Sequence, residues 1–288
     1  MRKLGRTGLL VSEIGLGTEY LYRLPKKTVF SVIQEAIKNE INYFDIVFNI
    51  ANYIDNISSA IKENKNDIIL TCHLGSIDQE GKVRRTRNIE DCEKTILKTI
   101  KKFGKGYIDI INLQFVKEKE YEIIIAPGGL LDLAKKLREE GKANFIGMST
   151  HNISIGIKAA HSGHFDMIMN QINIVNHGMV GREVLLDTCR NENVGFVAIK
   201  PFAGGKLLQK NRTVNIAKYQ SGGINLKKKI PWDITPAKCL NYTLSQMGVS
   251  TTIPGVKNVE ELKESLAYII ASDEEKDFSS IVKEFKIK

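Results

Sequence analysis

Long apolar runs are missing from this chain: nowhere in its 288 residues do eighteen or so apolar residues follow one another, as a helix crossing a bilayer requires. The first residues, MRKLGRTGLLVSEIGLG, break their apolar stretches with Gly, Ser and Glu, unlike a secretory signal. A soluble, cytoplasmic protein is expected. Cysteine is sparse and dispersed: Cys72, Cys92, Cys189 and Cys239 form no CxxC pair. That spacing signals neither a disulfide framework nor a zinc or iron–sulfur ligand set, so reduced, mostly buried thiols and no metal are expected. Aromatic residues are few, at 7%, and the cations behind a net charge of +9 are scattered among the acids. A nucleic-acid surface gathers its cations into a stripe with stacking rings, so a small-molecule partner is preferred to a nucleic acid. Diffuse positive charge also favours an anionic cofactor. The densest basic run, Leu226 to Lys229, reads as a solvated loop tip.

What is present is a cadence. Eight times an apolar, strand-like run ends in a small or polar residue and gives way to helical spacing: IGLGTEY from Ile14, YFDIV from Tyr43, IILTCH from Ile68, YIDIINLQ from Tyr107, FIGMST from Phe145, MIMNQIN from Met167, GFVAIK from Gly195 and STTIPG from Ser250. Alternating strands and helices predict a parallel sheet with crossover helices. Eight units in a chain of this length predict an α/β fold of the (β/α)8 type, one domain over residues 1–288, with its chemistry at the carboxyl ends of the strands.

Local punctuation supports the cadence. Asn88 with Asp91, Asn258 with Glu261 and Ser272 with Glu275 place a capping residue three positions before an acid, and Thr235-Pro236 puts proline at a first helical position. KLGRTGLLVSEI reads as two short strands around a turn that plugs the barrel bottom, and Ser272 to Lys288 as one extra amphipathic helix. Three connections on the strand-end face are long: Gly75 to Arg87, Phe115 to Gly129, and Ala203 to Thr235, the last with a polar Ser221-Gly222-Gly223 stretch.

KLGRTGLLVSEIGLGTEYL, INYFDIV, IILTCHLG, YIDIINL, GKANFIGMSTHN, KPFAGGKL and IPGVKNVEEL, in that order, resemble the aldo-keto reductases up to about Ala271. The resemblance implies a (β/α)8 barrel that transfers hydride between NADPH and a small carbonyl compound or alcohol, through a tetrad of Asp, Tyr, Lys and His. Residue by residue, the family's aspartate falls on Asp45. Its tyrosine falls on Ile50, with Tyr53 three residues further, its lysine on His73, and its histidine on Gln114. Negative charge built on the carbonyl oxygen needs an acid or fixed dipoles. An imidazole titrates near 6.5 and can give up a proton directly. The candidates are therefore an Asp45–His73 dyad, Gln114 polarising the carbonyl, and Tyr53 if its loop path turns it inward. The competing reading is that His73 and Gln114 satisfy each other in a mouth that has lost its reaction.

For the cofactor side, the resemblance implies nicotinamide-amide contacts from Ser149, Thr150 and Gln171. Gly204 and Gly205 let backbone approach a pyrophosphate, as in glycine-rich phosphate loops. Ile199 and Lys200, with Phe202 nearby, occupy the place of the family's stacking aromatic. IPGVKN leads into a helix N-terminus able to receive phosphate, bringing Gly255 and Lys257, with Glu264 and Ser265 toward adenine. Lys257 favours the 2′-phosphate of NADP, whereas Glu261, where many members carry arginine, opposes it and leaves NAD open. Tyr20 falls at a substrate-lining position, and His151 faces the pocket, while His161 and His164 sit at a helix end and His177 in a loop. Members with the GTEYL, TxHLG and KPFAGGKL pieces tend to continue into a cysteine-rich ferredoxin-like tail, which FKIK at the end of this chain does not resemble. Two further classes compete with a reductase: a dinucleotide-binding barrel with little turnover, serving as a redox sensor or interaction module, and a hydrolase or lyase using His73 without nicotinamide. Neither the substrate nor an oligomeric state is legible.

Overall fold

The computed structural model describes residues 1–209, 213–215, 227–231 and 233–285. Ser221, Gly222, Gly223, Leu226, Trp232 and the last three residues lie outside them. Eight parallel strands form one sheet: β1 (Leu16–Gly17), β2 (Tyr43–Ile46), β3 (Ile69–Leu74), β4 (Ile108–Leu113), β5 (Ala143–Ser149), β6 (Met167–Gln171), β7 (Gly195–Ile199) and β8 (Val249–Ile253). They pair in chain order, and parallel bridges Ile14–Thr252 and Gly17–Gly255 join the first to the last. The expected (β/α)8 barrel is therefore the fold. The alternation of each strand sorts its residues: Tyr43, Ile69, Ile110, Met167, Met169, Val197 and Ile253 pack inside the barrel, while a larger apolar layer joins the strands' other face to the helices.

The N-terminal strands Arg2–Lys3 and Leu10–Val11 pair antiparallel and send Leu4 and Val11, both fully buried, into the interior cluster. At roughly 1.5–3 kcal/mol for each fully buried aliphatic side chain, that plug is a substantial part of the core. The predicted caps form: Asn88 accepts from the Asp91 N–H at 2.9 Å, Asn258 from Glu261 at 2.8 Å, Ser272 from Glu275 at 3.3 Å and Thr235 from Lys238 at 3.2 Å.

The long connections carry structure of their own. Gly75 to Arg87 folds into a hairpin of Ser76–Gln79 and Lys82–Arg85, Phe115 to Gly129 contains the helix Glu118–Ile125, and Thr213–Asn215 pairs with Lys227–Lys229. The C-terminal segment is not one helix. It divides into Asp273–Lys276 and Ser279–Phe285, because Asp277 is extended and its carboxylate accepts from the Ser279 N–H at 2.9 Å, starting a new turn. No described helix is long and apolar enough to cross a membrane.

Candidate active site

The carboxyl ends of the strands surround a cavity of about 790 Å³. Strand register sets its floor. Parallel pairing places His73 of β3 beside Asn112 of β4, and Asn112 beside Gly147 of β5. Asp45, on β2, reaches across to His73: Nε2 of the ring lies 2.7 Å from Oδ1 of the carboxylate, both groups buried and both on the cavity wall. The amide Nδ2 of Asn112, which can only donate, lies 3.1 Å from Nδ1 of the same ring. The ring therefore carries its hydrogen on Nε2, donates it to Asp45 and accepts from Asn112. Gly147 makes room for this, since a Cβ there would stand 2.7 Å from Asn112 Oδ1. That oxygen is buried and without a partner.

Gln114 takes no part in this chain. It lines the cavity, but its Nε2 donates to the Val47 carbonyl at 2.7 Å. The mutual satisfaction of His73 and Gln114 in the competing reading does not occur, because Asn112, the register partner of His73, takes the place at Nδ1. Tyr53 is not brought inward. It lies on the helix Ala51–Ile61, whose apolar face packs between barrel and helices, and its ring sits among Tyr22 and Phe48. Its hydroxyl meets Thr18 in a short hydrogen bond, and burial pushes that hydroxyl far above the usual tyrosine range. Ile50 is the buried residue just before that helix.

Of the residues expected toward a cofactor, Ser149, Lys200, Gly204, Gly205, Gly255, Lys257 and Glu264 share the cavity wall. Thr150 does not: it is fully buried, and its hydroxyl donates to the Val116 carbonyl at 2.8 Å and accepts from the Asn152 N–H. Gln171, buried at the end of β6, is also off the wall. Ser149 accepts from the Phe115 N–H at 2.7 Å. Past β7 the backbone runs through positive φ at Lys200, Ala203, Gly204 and Gly205, the left-handed region that suits glycine. Among the described residues the Gly204 and Gly205 N–H groups donate to no backbone carbonyl.

Tyr20, following β1, meets the turns that follow β7 and β8. A Cβ on Gly255 would stand 2.6 Å from its ring, one on Gly204 would stand 3.9 Å from its hydroxyl, and the Lys257 ammonium sits 5.7 Å from the ring centre. Glu261, also on the wall, accepts from the Lys257 N–H at 2.8 Å. His151 lines the cavity with its ring edge-on to Phe115, and burial, with the Lys200 charge adding to it, lowers the imidazole to about 4. His161 pairs with Glu192 at 3.0 Å, and His177 with the Tyr242 hydroxyl at 2.9 Å, both away from the cavity.

Sequence reasoning passed over Asn112, Ser76, Phe115 and Arg85. The signal for Asn112 was a polar residue inside the apolar run IDIINL, on the same strand face as Gln114. Ser76 lies on the cavity wall with its hydroxyl buried and unpartnered. The polar hairpin that carries Arg85 gave no apolar pattern to read. Among the described residues no group of three His, Cys, Asp or Glu is placed to hold a metal ion.

Comparison with known proteins agrees with this architecture. The chain is 24% identical to an uncharacterized oxidoreductase of Bacillus subtilis, YqkF, covering 92% of this chain and 89% of that one. It is 22% identical to L-galactose dehydrogenase of Arabidopsis thaliana, covering 93% and 88%. The holo form of the aldo-keto reductase AKR11C1 from Bacillus halodurans superposes with a TM-score of 0.77 at 19% identity, covering 99% of this chain and 96% of that one, a likeness of fold. The sequence model of the aldo/keto reductase family matches residues 13–283, and the chain belongs to that family.

Proposed function

We propose that this oxidoreductase reduces a small carbonyl compound with a nicotinamide dinucleotide, and that Asp45 and His73 handle the proton. The observation that carries the reading is the 2.7 Å contact between Asp45 and His73 on the wall of the strand-end cavity. The residues present fit a dinucleotide. The left-handed turn through Gly204 and Gly205 offers backbone N–H groups at the wall, as anion-binding turns do. Ser149 presents a hydroxyl, and Lys257 a cation at the start of the helix Val259–Ile270. NADP is the expected form on account of Lys257; Glu261 on the same wall is the argument for NAD.

When bound, the dinucleotide supplies hydride. The protein's part is the proton. Asp45 accepts from Nε2 and fixes the orientation of the His73 ring, as a carboxylate does for an imidazole that moves a proton. Delivery of a proton from Nδ1 to the developing alkoxide needs Asn112 to turn away from that nitrogen, and its return restores the neutral ring described above, with Asn112 donating to Nδ1. The buried setting strengthens each of these contacts.

The test is titration with NADPH and NADH, followed by nicotinamide fluorescence, and then a panel of small aldehydes and ketones assayed with wild type, His73→Ala and Asp45→Asn. Expected are dinucleotide binding by all three proteins and turnover that falls about 10²–10⁴-fold in both variants. Absence of dinucleotide binding defeats the proposal. Turnover untouched in His73→Ala removes the pair and keeps the reductase. A second reading, a dinucleotide-binding barrel acting as a redox sensor, is favoured by the placement of Ile50 and the burial of Tyr53 away from the cavity. Binding without turnover on any carbonyl decides for it.

A further inference from the structure

The cavity wall is charged unevenly. Its carboxylates, Glu19, Asp45, Glu261 and Glu264, all belong to the β1, β2 and β8 side. The wall that follows β3, β4 and β5 has none, and carries Arg85 instead. This guanidinium comes from the hairpin after β3, where Arg85 pairs with Ser76 across the ladder. It sits 5.2 Å from the centre of the Phe115 ring and donates to the Phe115 carbonyl at 2.6 Å. Glu120, behind the wall, accepts from Arg85 and also lies 3.4 Å from Arg87, which donates in turn to the Gln114 carbonyl at 2.8 Å.

Glu120 is shared by two guanidinium groups, Arg85 on the wall and Arg87 behind it with Nε and Nη1 buried and unpartnered, so the pair keeps one positive charge in excess and Arg85 is the member that reaches the cavity. Burial and the adjacent Arg87 lower the Arg85 pKa from its usual value, so another anion beside it is electrostatically favourable. The neighbouring aromatic surface of Phe115 and the apolar side chain of Val83 suit a short hydrocarbon body. A planar guanidinium fork matches the two oxygens of a carboxylate.

We infer that the molecule taken by this cavity is an anionic carbonyl compound, with Arg85 as the seat of its carboxylate. The inference deepens the reductase reading of the same site and rests on it for the carbonyl half. Its position on the β3–β5 side keeps the carboxylate apart from the glycine turn after β7.

Two measurements test it. Wild type, Arg85→Gln and Arg85→Lys are assayed with NADPH on 4-oxobutanoate and butanal, aldehydes of equal chain length that differ in a terminal carboxylate. In wild type, kcat/KM for 4-oxobutanoate is expected to exceed that for butanal at least about tenfold. Arg85→Gln is expected to lower kcat/KM for 4-oxobutanoate, through KM, at least about tenfold more than for butanal, and Arg85→Lys to keep part of the preference, as a charge-assisted contact requires. A wild type without preference overturns the inference, as does an equal loss for both aldehydes, which would make Arg85 a prop for its hairpin. Calorimetric titration with butanoate needs no turnover: binding about tenfold weaker in Arg85→Gln supports the seat, and no binding to wild type, or equal binding, overturns it. Butanoate binding through Arg85 in a protein that reduces neither these two aldehydes nor any carbonyl of the panel refutes the reductase reading and leaves the anion seat standing.

Discussion

Asn112 donates to Nδ1 of His73 over 3.1 Å, while the oxygen of the same amide lies buried with no partner. Leaving a buried acceptor unpaired costs about 1–3 kcal/mol. The same amide turned over would accept from a proton on Nδ1, so Asn112 can serve the neutral and the charged ring in turn. At pH 8 the nitrogen shifts of labelled His73 are expected to report the Nε2–H tautomer. Asn112→Leu, without the donor, exchanges an unpaired amide oxygen for an unpaired Nδ1, so it is expected to change stability in urea unfolding by no more than about 1 kcal/mol and to mix the two tautomers. An Nδ1–H tautomer in wild type would contradict the arrangement.

Tyr53 gives a sharp negative prediction. Its hydroxyl meets Thr18, which keeps a second bond, 2.5 Å to the Asp45 carbonyl, when the tyrosine is replaced. Tyr53→Phe is therefore expected to cost about 1 kcal/mol of stability and to leave kcat within about twofold, because no atom acting on substrate is lost. A fall of a hundredfold or more would return this tyrosine to the chemistry.

His151 makes the fold sensitive to acid. Its imidazole titrates at about 4 in the folded protein against 6.5 when free. Between those values the unfolded chain binds a proton that the folded one refuses, so stability falls as pH drops from 6.5 toward 4. The loss attributable to this ring is on the order of 2 kcal/mol after allowance for its partial contact with solvent. His151→Gln should flatten that part of the profile, which urea midpoints at pH 7 and pH 4.5 measure directly. Parallel profiles for variant and wild type would rule out His151 as the cause.

Gly255 and Tyr20 form a pair open to a double-mutant cycle. An alanine methyl at Gly255 would stand 2.6 Å from the Tyr20 ring, closer than any relaxed contact, so Gly255→Ala is expected to cost about 1–3 kcal/mol. Tyr20→Ala removes the obstacle, and the combined variant should regain most of that loss. Additive costs would mean that the ring moves aside freely.

The barrel was legible because each strand carries its apolar alternation in order, as in IILTCH and MIMNQIN, and because helix starts announce themselves by side chains that cap them. Asp45 and His73 were legible as a pair since both end strands that neighbour each other. Asn112 was not, because which nitrogen of a ring meets which neighbour depends on register, and register is set by the closed sheet. The direction of Tyr53 could have been read from the apolar spacing of Ile54, Ile57 and Ile61 around it, which marks a packing face. Arg85 lay in a polar stretch whose hairpin pairing leaves no hydrophobic trace, and the division of the C-terminal segment turned on one side-chain bond from Asp277.

The bridge from Gly17 to Gly255 joins the first barrel strand to the second residue past the last. During synthesis, everything from β1 to β7 can emerge before the wall formed by Tyr20, Gly255 and Lys257 exists at all. That part of the cavity is the last to be made and depends on one of the most distant pairings among the described residues, a contact with a high cost of loop closure. A ligand spanning the seam would hold the two ends of the polypeptide together, so slowed hydrogen exchange in β1 and β8, beyond that in β3 to β5, would be its signature in the folded protein.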